Sequence, residues 1–140
     1  MVTGVQTCAL PIYREHGFTH EVAAFSQEMP ALMRRAHLLV CRAGASTLAE
    51  LAAVGRTAIL VPYPFAANNH QEFNARFLAA AGAAEIILNK DFTAEAFAGK
   101  INHFLTAPEH LINMEAASRQ LAKPEAASEI VAGCLELMRG

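Results

Sequence analysis

Short apolar runs alternate with longer stretches of mixed polarity through the middle of the chain. The runs predict strands at 38–41, 58–61 and 84–88, and the stretches between them predict helices. The run at 38–41 is apolar at every position, so both of its faces are expected to be covered. The alternation predicts an α/β fold, a Rossmann-like parallel sheet flanked by helices and followed by a helical C-terminal tail. The helices are predicted at 29–36, 47–54, 70–81, 94–105, 108–121 and 124–138.

Residues with strong positional preferences mark several helix ends. Thr93 is a predicted N-cap, and Gly55 and Gly82 are predicted C-terminal stops. Pro108 and Pro124 are predicted to begin the last two helices, since a first turn leaves its N–H groups unpaired. The last helix has an apolar side, made of Ile130, Val131, Cys134, Leu135 and Met138.

The N-terminal segment has a different character. Met1–Ile12 lacks charge and periodicity, and VTGVQTCALPI resembles the translation of a sequencing-adapter oligonucleotide. We therefore expect residues 1–12 to be foreign and the natural sequence to begin near Tyr13 as a truncated piece; a genuine edge strand is the alternative. A short strand is predicted at 21–25, and Ser26 is predicted to cap the helix that follows.

Composition narrows the class of protein. The chain has 140 residues, 54% of them hydrophobic and 17% charged, with a net charge of −2, which suits one globular domain. No basic stripe indicates nucleic-acid binding, and no apolar run is long enough to predict a membrane span. The odd cysteine count, without a CxxC pair, favours a reducing cytoplasm over a disulfide framework. His16 and His20 have ligand spacing but no third partner nearby, so no metal site is predicted.

The clearest candidate for chemistry is the segment 42–47, RAGAST, between a predicted strand and a predicted helix. Gly44 would allow close backbone approach or a positive φ, and its alanine neighbours would not block a ligand. Ser46, Thr47 and the free N–H groups of the first helical turn could donate to phosphate or sugar oxygens. The segment is neither a Walker A loop nor GxGxxG, so the pattern alone is weak evidence.

Glu50 has two interpretations. Thr47 and Glu50 form T-x-x-E, a capping box that needs no ligand. Alternatively, the carboxylate could accept two hydrogen bonds from a vicinal diol such as a ribose. Both interpretations remain open on local pattern.

A second candidate group, His70, Gln71 and Asn74, opens the helix after the second predicted strand. Loops after successive parallel strands open on one edge of a sheet, so His70 and Gln71 are expected to approach the turn at Gly44. A glutamine amide both donates and accepts, which suits sugar hydroxyls, although a polar helix start is the ordinary alternative. His70 could serve as a base, but no carboxylate stands in register to orient it.

Three stretches carry a resemblance: VCRAGASTLAELAAVG, VPYPFAANNHQEFNA and AGAA. Together they resemble the C-terminal domain of the family 28 glycosyltransferases of peptidoglycan synthesis, over about residues 13–140. The resemblance implies the C-terminal half of a GT-B fold, in which two Rossmann-like domains enclose the active site. It implies inverting transfer of N-acetylglucosamine from UDP-GlcNAc to the muramoyl C4 hydroxyl of lipid I, which gives lipid II.

The resemblance also implies roles for individual residues. Glu50 would bind the ribose hydroxyls, and the Ala45 N–H would meet the GlcNAc. Ser46 and Thr47 would line the diphosphate, beside Gly44. His70 and Gln71 would contact GlcNAc hydroxyls, although the family often has Gln at the first of these positions. Ser26, or the neighbouring Phe25, would meet uracil through its backbone; no role follows for Arg42.

Much of such an enzyme lies outside this sequence. The catalytic base is expected in an N-terminal domain that is absent here, so the catalytic residues are unknown and the chain alone is expected to bind UDP-GlcNAc weakly or not at all and to be inactive. No cofactor, metal or nucleic acid is expected. The family implies a cytoplasmic enzyme peripheral to the inner membrane face, with the missing domain contacting membrane and lipid I. Alternatives are another GT-B enzyme using a UDP-sugar, for glycolipid synthesis or tailoring, and a non-catalytic nucleotide-binding module.

Overall fold

The computed structural model describes residues 2–3, 13, 15–17 and 19–139. The chain divides into two compact units, residues 1–32 and 33–140. In the first unit, strand β1 (Val2–Thr3) pairs in parallel with β2 (Val22–Ala23), which confirms the centre of the strand predicted at 21–25. Residues 4–12 lie outside the described residues, and the foreign origin of residues 1–12 stays a prediction.

A three-stranded parallel sheet forms the second unit's centre. Its strands are β3 (Leu39–Cys41), β4 (Ala58–Leu60) and β5 (Ala84–Ile86), in that spatial order. Helix α1 (Met29–Arg35) precedes the sheet, and the two crossovers contain α2 (Ala45–Val54) and α3 (His70–Ala80). The helices α4 (Ala94–Thr106), α5 (Pro108–Gln120) and α6 (Ala126–Arg139) follow. The predicted α/β fold with a helical tail is confirmed.

Strand β4 is buried on both faces. Leu60 joins a core cluster with side chains of α2 and α3, including Leu51 and Leu78. Ile59 points the other way and joins Phe104 of α4 and Met114 of α5. This double burial explains why 58–60 is a continuous apolar run.

Strand β3 is less covered than its sequence predicts. Val40 lies opposite Ile59 on the sheet, yet it is 46% exposed. Phe104 and Met114 form a buried cluster with Ile59 and Ile87, and Leu38 packs against it, but among the described residues Val40 is not part of this cluster. The prediction that both faces of 38–41 are covered is therefore wrong at Val40.

The helix ends follow the predicted signals in most places. Thr93 caps α4, since its hydroxyl accepts a hydrogen bond from the Ala96 N–H at 3.1 Å. Gly55 ends α2 in the left-handed region, with φ of 66°. Gly82 also has a positive φ, of 72°, just after α3.

Helix α6 begins at Ala126, slightly later than predicted, and buries no side chain. Its apolar side is exposed, from 46% at Leu135 to 82% at Met138. Over the described residues, the helices lack the combination of length and apolar character that a membrane span requires.

Candidate functional site

The turn between β3 and α2 differs in detail from its prediction. Helix α2 begins at Ala45, two residues before the predicted start, and Gly44 is its N-cap. Gly44 has φ of −69° and ψ of 146°, so the positive φ considered from the sequence is not used. A Cβ built at Gly44 would lie 3.7 Å from the nearest atom, Thr47 Oγ1, which is ordinary contact. The fold therefore leaves open space at Gly44 without requiring a glycine there.

Among the residues that the structure describes, no side chain caps the start of α2. The first helical bond runs from the Leu48 N–H to the Gly44 carbonyl, at 3.0 Å. The N–H groups of Ala45, Ser46 and Thr47 precede that bond and have no intrahelical acceptor. Ala45 and Ser46 are exposed and Thr47 is half-buried, so an anionic or hydroxylated ligand could reach this positive helix end.

The capping-box interpretation of Glu50 is wrong. With Gly44 as N-cap, Thr47 is the third helical residue, and Glu50 lies too far into α2 to reach the N-cap N–H. The sequence could not reveal this, because Gly44 and Ser46 are both acceptable N-cap residues. The helix could therefore begin at Ala45 or at Thr47. Glu50 is exposed, and its carboxylate makes no hydrogen bond or ion pair with the described residues. The carboxylate is therefore free to accept hydrogen bonds from a ligand.

Gln71 joins the loops after β3 and β4. Its side-chain oxygen accepts hydrogen bonds from the Ala43 N–H at 3.2 Å and the Tyr63 N–H at 3.0 Å. The predicted approach of Gln71 to the Gly44 turn is confirmed. Because the oxygen is held by two backbone donors, the amide NH₂ group is the part that remains for a ligand.

Asn74 adds to this contact one turn further along α3. Its amide donates to the Ala43 carbonyl at 3.1 Å. Both backbone polar groups of Ala43, a fully buried residue, are thus satisfied by α3 side chains. The spacing of Gln71 and Asn74 places them on one helix face, a signal that could have identified this pair as a unit.

Arg42, for which no role was predicted, holds three loops together. Its Nη1 lies 3.1 Å from the Val61 carbonyl, 3.2 Å from the Pro62 carbonyl and 3.0 Å from Asn89 Oδ1. The guanidinium also lies 5.6 Å from the centre of the Tyr63 ring. These partners follow β4 and β5, so the shared carboxyl edge of the sheet explains their convergence.

His70 is exposed at the start of α3. Its Nδ1 lies 2.8 Å from the Ala67 carbonyl, which can only accept, so Nδ1 carries the proton. In the neutral ring, Nε2 is then an acceptor. Asn68 and Asn69, with φ of 50° and 54°, set this helix start. Over the described residues, the His70 side chain makes no hydrogen bond with segment 42–47.

Ser26 belongs to the unit 1–32. Its hydroxyl accepts a hydrogen bond from the Glu28 N–H at 3.1 Å, in the turn before α1. Since α1 begins at Met29, Ser26 is not the N-cap that the sequence predicted. Its neighbour Phe25 is 78% exposed.

Cys41, at the end of β3, is not suited to nucleophilic chemistry. Burial raises the pKa of its thiol to about 11. The thiol is therefore protonated at neutral pH. Cys41 is half-buried and packs against the core cluster that contains Leu51 and Leu78.

Known proteins bear on the identity of this site. The sequence model of the Glycosyltransferase family 28 C-terminal domain matches residues 5–130. The chain belongs to this family. That membership and the observed sheet confirm the expected fold class, the C-terminal half of a GT-B glycosyltransferase.

Individual relatives are longer than this chain. A protein of Anaeromyxobacter sp. (strain Fw109-5) is 49% identical over 127 residues, which is 91% of this chain and 33% of that protein. One from Syntrophus aciditrophicus (strain SB) is 41% identical over 139 residues, covering 98% and 38%. Both are named UDP-N-acetylglucosamine--N-acetylmuramyl-(pentapeptide) pyrophosphoryl-undecaprenol N-acetylglucosamine transferase.

A solved structure is similar as well. The crystal structure of Acinetobacter baumannii MurG superimposes with a TM-score of 0.82 at 34% identity, over 92% of this chain and 38% of that one. The chain therefore spans between a third and two fifths of the length of these relatives.

Proposed function

We propose that this chain is the donor-binding part of an inverting glycosyltransferase of peptidoglycan synthesis. The enzyme would transfer N-acetylglucosamine from UDP-GlcNAc to the muramoyl C4 hydroxyl of lipid I and produce lipid II. The names of the relatives support this reaction, and they describe proteins about three times as long as the matched segment. The observation that carries the proposal for this chain is the uncapped start of α2, with the Glu50 carboxylate free beside it.

Each part of the donor has a candidate partner. The diphosphate would accept from the N–H groups at the start of α2, with Ser46 and Thr47 adding hydroxyls. Glu50 would accept from both ribose hydroxyls, and the Ala45 N–H would meet the GlcNAc. The Gln71 NH₂ group would donate to a sugar oxygen, while His70 Nε2 would accept from a sugar hydroxyl. Ser26 would contact uracil through its backbone.

In this reaction, the present chain would bind and stabilise the leaving group, UDP. The C4 oxygen of the acceptor attacks C1 of GlcNAc as the bond from C1 to the diphosphate oxygen breaks, and UDP leaves with the bonding electrons. The charge that develops on UDP would be stabilised by the positive end of α2, which is already oriented before the reaction. The acceptor's proton would go to a base elsewhere in the longer protein.

Binding of the acceptor and contact with the membrane would also be functions of the longer protein. Lipid I carries a lipid chain, so an enzyme that uses it works at a membrane surface. We propose that the whole enzyme is cytoplasmic and peripheral on the inner membrane face, and that its N-terminal domain makes the membrane contact.

The test fuses this chain to the remaining N-terminal segment of the Anaeromyxobacter relative and measures GlcNAc transfer to lipid I. We expect the fusion to produce lipid II and the 140-residue chain alone to produce none. Glu50→Gln should cost about 1.5–3 kcal/mol of donor binding, which is more than about tenfold in the KM for UDP-GlcNAc. The matched control is Glu109→Gln, an exposed carboxylate on α5.

Two results would contradict the proposal. One is a folded, active fusion in which Glu50→Gln and Glu109→Gln have the same KM. The other is a preference for UDP-glucose or UDP-galactose over UDP-GlcNAc, which would favour another sugar-transferring enzyme.

A further inference from the structure

A cluster of metal-ligand side chains lies away from the donor site. Glu85 of β5, His103 of α4 and His110 of α5 each offer one ligand atom, and these atoms lie within 4.8 Å of one another. Glu85 is opposite Ile59 on the sheet, so it lies on the face that α4 and α5 cover. The turn at Gly44 lies instead at the carboxyl edge, beyond the end of β3.

The distances suit a small transition-metal ion. Zn²⁺ bonds to nitrogen and oxygen of 2.0–2.1 Å place tetrahedral ligands about 3.3 Å apart. His110 Nε2 and Glu85 Oε1 are 3.1 Å apart. The His103 and His110 rings meet edge to face with centroids 5.1 Å apart. The ligand nitrogen of exposed His103 lies within 4.8 Å of the other two ligand atoms, so this side chain would move closer to complete the site.

Neighbouring contacts hold two of the three ligands in place. The His110 ring stacks on Phe104, with centroids 5.6 Å apart and planes 14° from parallel. Lys100 donates to Glu85 Oε2, which leaves Oε1 directed at His110. Carboxylates that bind metals are commonly held in place by a hydrogen bond of this kind from a neighbouring side chain.

We propose that Glu85, His103 and His110 form a Zn²⁺ site that links β5, α4 and α5. Two imidazoles and one carboxylate are donors that Zn²⁺ accepts well, and the fourth position would hold water. The ion would take the place of the proton between His110 Nε2 and Glu85 Oε1, with His110 protonated at Nδ1 instead. The sequence concealed the site because its ligands come from three elements and form no local motif.

Calorimetric titration of the tag-free 140-residue chain with Zn²⁺ tests the site. We expect saturable binding of one ion and a rise in Tm with added Zn²⁺. Since the loss of an outer partner already costs 10- to 100-fold in metal affinity, His103→Ala and His110→Ala should each weaken binding by more than about tenfold. Glu85→Gln, which keeps the side-chain shape, should do the same. His37→Ala, an exposed histidine before β3, should bind as the unaltered chain does.

Co²⁺ provides a second readout that does not depend on affinity. Intense visible bands would indicate a four-coordinate ion bound by nitrogen and oxygen, and these bands should disappear in His110→Ala. The proposal is overturned if the three variants bind Zn²⁺ as His37→Ala does, or if the chain does not bind it saturably. A near-ultraviolet thiolate-to-cobalt band would show cysteine ligation and would also overturn it.

Discussion

The oxygen and the NH₂ group of the Gln71 side chain have different roles. Its oxygen is committed to the backbone N–H groups of Ala43 and Tyr63, and its NH₂ group is available for a ligand. The residue therefore both shapes the site and, in our proposal, binds the sugar. A substitution that keeps only the oxygen separates these roles.

Gln71→Glu should keep the fold and weaken the donor site. A carboxylate oxygen can still accept from both backbone donors, so Tm should change by less than about 2 °C. The donor hydrogens are lost, so the KM of the fusion enzyme for UDP-GlcNAc should rise about tenfold. Gln71→Met, which loses the acceptor too, should lower both Tm and activity. An unchanged KM in Gln71→Glu would remove Gln71 from the sugar contacts.

The two cysteines in the described residues should differ in reactivity. With a pKa of about 11, only about one Cys41 in a thousand is a thiolate at pH 8, whereas Cys134 is exposed on α6. Alkylation of the folded chain, followed by peptide mass spectrometry, should label Cys134 much faster than Cys41. Unfolding in urea should abolish the difference. Equal rates in the folded chain would show that β3 opens readily.

Two site residues show what the sequence could and could not predict at this scale. The approach of Gln71 to the Gly44 turn follows from parallel-strand geometry and was predictable. The freedom of Glu50 was not, because it depends on whether α2 begins at Ala45 or at Thr47. A shift of two residues in the start of α2 decides whether the Glu50 carboxylate caps the helix or is free.

At the scale of elements, Gly55 is required twice over. Its positive φ of 66° disfavours any side chain, and a Cβ there would lie 2.4 Å from Arg119 Cγ. Gly82 has a similar φ, of 72°, but open space around it. Substitutions at Gly55 and Gly82, compared with each other, therefore separate the free-energy cost of a left-handed backbone from the cost of a steric clash.

Gly82→Ala should cost about 1–2 kcal/mol in the free energy of unfolding, from the backbone alone. Gly55→Ala should cost more, because Arg119 must also move and lose its ion pair with Glu115. Denaturant unfolding measures both. Measured against Arg119→Ala, the double variant Gly55→Ala/Arg119→Ala should show only a cost like that of Gly82→Ala. Equal costs in the two single variants would show that Arg119 moves aside freely.

The elements themselves were largely predictable, and the errors have local causes. Thr93 and Gly55 act as their types suggest, since each supplies its capping geometry without help from the rest of the fold. Val40 escaped prediction because its exposure depends on where α4 and α5 come to lie. Burial of that kind is a tertiary property that an apolar run cannot specify.

At the scale of the whole molecule, α6 contributes little to the folded unit. It buries no side chain, whereas α5 buries Met114 and Ser118. Its apolar side, which includes Ile130, Val131 and Leu135, is exposed.

Removal of residues 124–140 should therefore leave Tm within about 2 °C of the full chain, because almost no apolar burial is lost. It should also reduce self-association at high concentration, measured by sedimentation. Truncation before Pro108 is the contrasting variant, and it should unfold the chain because α5 is lost. A large fall in Tm on removing α6 alone would mean that the helix packs more firmly than its exposure indicates.

Gly44 and Gly55 lie at the two ends of one helix and should be subject to different constraints during evolution. The fold requires Gly55, so every functioning descendant of this domain should retain it. Nothing in the fold requires Gly44, where any residue could adopt the backbone angles. In a lineage whose domain no longer holds a donor, position 44 should drift while position 55 stays fixed. The two glycines together would thus distinguish a domain that has lost its substrate from one that has lost its structure.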